Sequence, residues 1–416
     1  MSPPAPHLVD EILEEIFLRL PTPQALARTA CASPSFRRIV TQRSFLRRFR
    51  KLHPPPLLGF VTAGEGGFAP DQEPHPSAPI ARALADAADF TYSFVPDLSA
   101  DGGSFTAWSP CDIRDGRVLL ESPPRFLRTY ASTFSTTLLA VCDPLSRRYV
   151  LLPHIPVDLY QQGNREKRLY HFQHRLAPTG EDDEDETSFR VICWVHFKDK
   201  MVVIVFSSAS GQWSVAATPS WSSLGLVNLS WRGPKNRFKN SCGCFYWTDR
   251  WKGDMIVMDT RTMEFSTANI LDSDHMQVMN LPEQSKCTSA VVVPTEGAFE
   301  RFTVVYSPNG SFHLYHTTQQ SNDGSCQLKV VVPLPRGSRY YTVCATDGFV
   351  FLQGIPDQAQ SGDLIIRISR DLHQLLDLFS LEVKTSQLKK VCGPAPVSKC
   401  LHSYFGFPPS MSKPSL

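Results

Sequence analysis

Residues 8–21 read Leu8-Val9-Asp10-Glu11-Ile12-Leu13-Glu14-Glu15-Ile16-Phe17-Leu18-Arg19-Leu20-Pro21. Leu8, Ile12, Leu13, Ile16, Phe17 and Leu20 recur at helical spacing while Asp10, Glu11, Glu14, Glu15 and Arg19 fill the other face, so the stretch predicts an amphipathic helix. Leu20-Pro21-Thr22-Pro23 stops it, because proline disfavours helix in the residue before it and lacks the amide a helix interior needs. Downstream, a second helix is expected over about Gln24–Cys31, with Leu26 and Ala30 inward. Ser33-Pro34 offers an N-cap followed by proline at the first helical position, starting a third helix with Phe36, Ile39 and Val40 inward. Ser44 is expected to cap a fourth, with Phe45, Leu46 and Phe49 apolar and Arg43, Arg47, Arg48 and Arg50 exposed. So short a helical cluster buries too little surface to close a core alone. Its apolar excess calls for a partner, either the chain's own C-terminal region or another protein.

The charge distribution sets this segment apart. The whole chain of 416 residues has a formal charge of +2, too small to make nucleic acid or an anionic membrane the default partner. Residues 1–60 nevertheless hold nine Lys/Arg against four acids, a local +5 that leaves −3 for the remainder. The basic stretch Arg37–Lys51 lacks a turn-and-recognition pattern for nucleic acid. No apolar run approaches the ~18 residues of a spanning helix, the longest being Met201–Phe206, and acids interrupt the early apolar stretch as no secretory signal would be. A cytoplasmic or nuclear protein, with neither nucleic acid nor membrane as partner, is therefore expected. There the eleven cysteines, odd in number and irregularly spaced, read as reduced thiols.

The string at 8–21, followed by Leu26, Ala30-Cys31, Phe36-Arg37-Arg38-Ile39-Val40 and Ser44-Phe45, resembles an F-box. The continuation Phe49-Arg50-Lys51-Leu52-His53-Pro54-Pro55-Pro56-Leu57-Leu58-Gly59-Phe60 is similar to grass-type plant F-box proteins. The resemblance departs at Val9, where the family usually has proline, and at Phe36, where many members have tryptophan. It implies a docking helix set for a Skp-type adaptor, which in turn binds a cullin scaffold in a ubiquitin ligase. Carried over position by position, it assigns adaptor contact to Leu8, Ile12, Leu13, Ile16, Leu20 and Pro21.

Beyond residue 53 the helix signals fade. Pro54-Pro55-Pro56 reads as a stiff connector and Gly64 to Pro79 as an irregular loop. Short β-branched and aromatic runs follow, at Thr91–Val95, Arg117–Leu120, Leu138–Cys142, Phe189–Phe197, Met201–Phe206, Cys244–Trp247, Asp254–Met258, Phe302–Tyr306, Ser311–Tyr315, Lys329–Val332, Tyr340–Ala345, Phe349–Leu352 and Leu364–Ile368. A weak repeat runs through them. Hairpins at Asp143-Pro144-Leu145-Ser146, Ser207-Ser208-Ala209-Ser210, Asp259-Thr260-Arg261-Thr262 and Val383-Lys384-Thr385-Ser386 are followed three residues on by Tyr149, Trp213, Phe265 and, offset by one, Leu388. Such recurrence is the signature of a propeller with uneven loops, and the length with its long loops argues for about six blades; a pair of β-sandwiches is the alternative. Residues 139–153 and the tail Tyr404-Phe405-Gly406-Phe407-Pro408-Pro409-Ser410 resemble the kelch-related associated domain of plant F-box proteins, without clean kelch double glycines. The expected fold class is thus α + β multidomain, with a helical F-box at 1–53, a Pro/Gly-rich connector with a possible first strand at 54–89, and an all-β propeller at 90–410.

Chemical motifs are sparse. No phosphate loop, Gly-x-Ser-x-Gly elbow or His-Glu-x-x-His is present, so the motif-bearing enzyme classes drop out. Cys242-Gly243-Cys244 is too closely spaced for a zinc knuckle, and His171-Phe172-Gln173-His174 reads as a solvated loop, so neither metal nor cofactor is expected. Glu181-Asp182-Asp183-Glu184-Asp185-Glu186 lacks the spaced calcium-loop pattern and reads as a solvated acidic connection. Of the tryptophans at 213, 221, 231, 247 and 251, most are expected in blade packing, with Trp231 and the adjacent Arg232 the pair best suited to anchor a target. The function these readings imply is a non-catalytic substrate receptor that docks a Skp-type adaptor and holds an unidentified target protein on loops of one propeller face. An adaptor-bound scaffold or decoy and a propeller enzyme with a helical cap are the alternatives.

Overall fold

The computed structural model describes residues 8–406 except 22, 54, 63–66, 74, 97–107, 123–136, 162–168, 170, 178–187, 225–238, 242, 249–253, 270–276, 296–297, 321–324, 347, 358–374 and 397–400. It forms two units, residues 1–57 and 58–416.

In the first, α1 (Asp10–Leu18), α2 (Pro23–Ala32), α3 (Pro34–Val40) and α4 (Arg43–Leu52) follow the predicted order. Ser33 caps α3, its Oγ accepting from the Ser35 amide at 3.3 Å, with proline in the first turn. Ser44 does not cap α4: Gln42 occupies the cap position and its side chain makes no cap bond. Phe17, Leu18, Leu26, Ile39, Val40, Phe45 and Phe49 form the core, with Leu13, Leu20, Ala30, Phe36 and Leu46 packed at its margin. Phe17 meets Phe36 edge-on, centroids 5.1 Å apart, and His53 Nε2 lies 2.7 Å from the Leu18 carbonyl that the end of α1 leaves open.

The second unit is a six-bladed propeller. β3 (Ser109–Arg114), β4 (Arg117–Glu121), β5 (Leu139–Asp143) and β6 (Arg148–Leu151) form one antiparallel blade. β7 (His171–Leu176), β8 (Arg190–His196), β9 (Met201–Ser207) and β10 (Gln212–Ala217) form the next. β11 (Lys239–Ser241), β12 (Cys244–Thr248), β13 (Asp254–Asp259) and β14 (Phe265–Asn269) follow, then β15 (Lys286–Thr295), β16 (Ala298–Tyr306), β17 (Phe312–Gln320) and β18 (Cys326–Pro333). The fifth blade is β19 (Ser338–Thr346), β20 (Phe349–Pro356), β21 (Leu375–Glu382) and β22 (Gln387–Pro396). The sixth joins the two ends of the unit, with β1 (Leu57–Thr62) between β2 (Phe68–Pro70) and β23 (Leu401–Phe405). The inner edge strands pack side by side, β23 on β3 on β7 and β11 on β15 on β19, which places them around the axis.

Middle strands are buried on both faces because each blade is sandwiched between neighbours. Leu119 and Val141 of one blade meet Val191, Cys193, Val202 and Ile204 of the next. Trp194 of that blade packs edge-on against Phe245 at 4.7 Å, and its indole N–H points at the Met258 sulfur at 3.3 Å. Trp213 and Trp221 are buried here as well, their indoles donating to the carbonyls of Pro153 at 2.8 Å and Phe197 at 2.9 Å.

The weak repeat proves to be a recurring turn between the third and fourth strands. Asp143 accepts from the amides of Leu145 and Ser146, and Asp259 from those of Arg261 and Thr262. Four residues after the first turn residue, the backbone is left-handed at Arg147, Gly211, Met263 and Ser386. The last hairpin therefore begins at Glu382, whose carboxylate accepts from the Thr385 hydroxyl at 2.7 Å, not at Val383. In this register Leu388 stands where Tyr149, Trp213 and Phe265 stand, and the offset disappears.

Several expectations change. Thr91–Val95 is a turn, not a strand: Asp89 accepts from the Thr91 amide and the hydroxyls of Thr91 and Ser93, and Tyr92 is left-handed at φ 60°. The 171–174 stretch is not a solvated loop but part of β7, with His174 buried. Segment 54–89 carries β1, β2 and the helix α5 (Ala78–Ala87). A short helix α6 (Val157–Tyr160) also forms. The strand expected at 364–368, the acidic run 181–186 and Cys242 lie outside the described residues.

Gly59 sits at the crowded point of the closing sheet. Its φ is 150°, and a Cβ there would lie 2.3 Å from the Ala69 carbonyl of the paired strand. Gly59→Ala is expected to cost about 3 kcal/mol, because backbone rather than a flexible side chain must yield. Thermal unfolding would show it as a drop of several degrees, and an unchanged melting temperature would contradict the close approach.

Candidate functional site

Helix α1 carries two apolar stripes roughly 100° apart. Leu13 and Phe17 turn into the core with Leu18, and Leu20 follows on the same side. Leu8, Ile12 and Ile16, spaced four apart, turn outward and are 43, 48 and 43% exposed, with Val9 beside them at 57%. The orientation is reinforced by charge: Arg38 reaches Asp10 at 2.7 Å, and Arg48 reaches Glu14 at 2.8 Å and also Glu15. Exposed pairs of this kind contribute ~0–1 kcal/mol each, yet together they tie the acidic flank of α1 to α3 and α4. What remains is a contiguous aliphatic surface on a helix whose inner face is already satisfied, the mark of a docking surface.

Six residues were expected at this surface. Leu8, Ile12 and Ile16 are brought together there, and Pro21 is exposed just after the helix. Leu13 and Leu20 are largely spent on the core margin. Val9 is a member that the spacing argument passed over. Trp231 and Arg232 lie outside the described residues.

Residues 6–48 match the F-box domain. The chain is thus an F-box followed by a six-bladed propeller. F-box domains bind Skp-type adaptors, and F-box proteins are in general non-catalytic adaptor subunits of ubiquitin ligases. No curated protein matches the chain. Among solved structures it is similar to an oligogalacturonate lyase in complex with manganese, at 10% identity and TM-score 0.31, covering 66% of this chain and 61% of that one. It is also similar to the polysaccharide lyase Uly1, at 12% identity, TM-score 0.34 and coverage of 71% and 70%. A third is the β-propeller domain of the Trilobed protease from Pyrococcus furiosus, at 10% identity, TM-score 0.31 and coverage of 69% and 72%. The chain spans about six tenths of the first of these, and likenesses of this size carry no argument about activity.

Within the propeller, several titratable groups are buried. Asp71 is enclosed, its Oδ2 3.0 Å from His75 Nδ1, and burial pushes its carboxyl up to about 8. The same burial, with Lys389 nearby, lowers the His75 imidazole. Both partners are thus held neutral, and His75 Nδ1 accepts from the Ser77 amide at 3.3 Å. Asp112 is raised by burial while Arg175 and Arg114 oppose the shift, and its Oδ2 accepts from the Leu176 amide at 2.8 Å. Among the described residues no three His, Cys, Asp or Glu side chains could hold a metal ion.

Proposed function

We propose that the chain is the substrate-receptor subunit of an SCF-type ubiquitin ligase. The observation that carries this reading is the uncovered Leu8, Val9, Ile12 and Ile16 surface on the first F-box helix, which a Skp-type adaptor would bury, linking the chain to a cullin scaffold. The propeller would hold the target on inter-strand loops, since its middle strands are spent on blade packing. The contribution to catalysis is proximity, raising the local concentration of target lysines at the charged ubiquitin carrier. Work in the cytosol or nucleus, and kinship with the grass-type, kelch-related F-box proteins, belong to the same proposal.

Mixing the full chain with a purified Skp-type adaptor and cullin should give one co-eluting complex that, once supplied with the RING subunit, ubiquitin, its activating and carrier enzymes and ATP, ubiquitinates proteins captured by the propeller. Absence of adaptor binding would sink the assignment. Adaptor binding without ubiquitin transfer to any captured protein would favour the scaffold reading instead.

A further inference from the structure

A cleft of about 100 Å³ opens between the first two blades of the propeller, where the β3–β4 hairpin faces the start of β8. Arg114, Arg117 and Arg190 line it with Ser188 and Phe189, and among the described residues Asp115 is the one lining carboxylate. The hairpin is a two-residue Asp115-Gly116 turn with both residues at positive φ, so it projects one arginine from each flank at a fixed spacing. Arg117 is buried and already oriented: its Nη1 donates to the Ser188 carbonyl at 2.9 Å, and its guanidinium lies 5.6 Å from the centre of the Phe189 ring. Arg114 holds a buried Nε with no hydrogen-bond partner. Asp112, which interacts with the Arg114 charge, also faces Arg175 and accepts from the Leu176 amide.

We infer that this cleft receives an oxyanion side chain, a carboxylate or a phosphate, from an acidic segment of the target protein. The inference rests on the substrate-receptor reading and names the chemistry of the target site. Among the described residues, three guanidinium groups around one carboxylate make the lining positive, whereas residues 61–416 carry a net −3, so the charge is a local concentration and not a general polyanion surface. Its volume suits one acidic group with a water or two, and is well below the ~300 Å³ at which small-molecule sites begin. Planar guanidinium forks match carboxylate and phosphate oxygens two at a time, and a fork already fixed by Ser188 and Phe189 loses little freedom on binding.

The test uses the full chain bound to its adaptor and three fluorescent peptides of one Gly/Ser frame. One bears a phosphoserine, one three consecutive glutamates and one three glutamines, and anisotropy is read at low and physiological salt. The two acidic peptides should bind at least tenfold more tightly than the glutamine peptide, and whichever binds better identifies phosphate or carboxylate as the preferred source. Arg114→Gln with Arg190→Gln should abolish that preference while leaving adaptor affinity unchanged. If the glutamine pair lowers the melting temperature appreciably, Arg114→Lys with Arg190→Lys keeps the charge but not the fork, and a severalfold loss is expected. Equal binding of all three peptides, or full retention in both variants, overturns the inference. Deleting 181–186, the acids that lie in sequence between the cleft residues Ala177 and Ser188, should leave acidic-peptide binding intact or tighten it; loss of binding would overturn the assignment to the arginine cleft. Adaptor affinity, measured on the same samples, reports separately on the substrate-receptor reading.

Discussion

A chain carrying Ile12→Asp and Ile16→Asp together is expected to bind a Skp-type adaptor at least a thousandfold more weakly, with no change in its own folding. Both side chains are nearly half exposed in the free chain, so carboxylates at these positions stay hydrated and cost the helical unit little beyond repulsion between the two of them, four residues apart, and from Glu15. In the docked state the same carboxylates would lose water without gaining a partner, at about 2 kcal/mol or more each, besides forfeiting about 1 kcal/mol of apolar burial each. The sum exceeds ~4 kcal/mol, which is three decades in affinity. Isothermal titration decides it, with circular dichroism as the folding control. Leu18→Asp supplies the contrast, since Leu18 is buried in the unit's own core and its replacement should unfold the helices. Full affinity in the double variant would mean that another face of the F-box docks.

The second large effect is a stability maximum near pH 6–7, with Asp71→Asn removing the alkaline limb. His196 is buried against Trp221, the two rings 5.6 Å apart, and burial holds its imidazole down to about 3, with His171 adding to the shift; His402 is likewise held to about 3. Unfolded, both titrate at about 6.5. The unfolded chain therefore takes up protons first on acidification: the stability is complete above pH ~6.5 and is lost as pH falls toward 3. At pH 5 the two together withdraw roughly 4 kcal/mol. Glu300, depressed by His316 and by Lys329 despite opposing burial, withdraws more once pH falls below the ordinary carboxylate range.

Asp71 acts with the opposite sign. Its folded value of about 8 lies above the unfolded ~3.8, so its contribution is fully present below pH ~3.8 and erodes as pH rises toward 8. An asparagine there imitates the neutral acid in size and shape but carries no charge at any pH. The substitution should stabilise the propeller by a few kcal/mol at pH 7.5 and by almost nothing at pH 4. Urea melts of both chains at pH 4, 6.5 and 8 would check this, and a gain independent of pH would rule out a protonated Asp71.

How much of this was legible in the sequence depended on what each strand faces. Met201–Ser207 and Arg190–His196 are covered on both sides, so their apolar residues run without a break and could be read directly. The outer strand β10 turns Gln212 and Ser214 to solvent and passed for a connection, whereas β18 was legible only at Lys329–Val332, the half of the strand richest in valine. β7 lies at the axis, where His171, Gln173 and Arg175 replace the expected aliphatics and disguise a strand as a polar loop. The helical unit was read nearly residue by residue because caps and prolines are local signals. Its division into buried and docking stripes was not, since the choice between two stripes of similar hydrophobicity is made by α3 and α4. The arginine cleft escaped notice because Arg190 reaches the Arg114–Arg117 hairpin only through blade neighbourhood.

The closing blade has a temporal consequence. β1 is synthesised about 340 residues before β23, the strand that pairs along its other edge. At roughly 5–20 residues per second, that edge waits on the order of 20–70 s while the helical unit is already complete. On the substrate-receptor proposal, a nascent chain would be able to engage an adaptor well before its ring can shut, and any chain that terminates before Leu401 would keep an open edge together with that same docking surface. Such truncations would occupy ligase cores without presenting a finished propeller, which makes the last strand a checkpoint on the whole chain's usefulness.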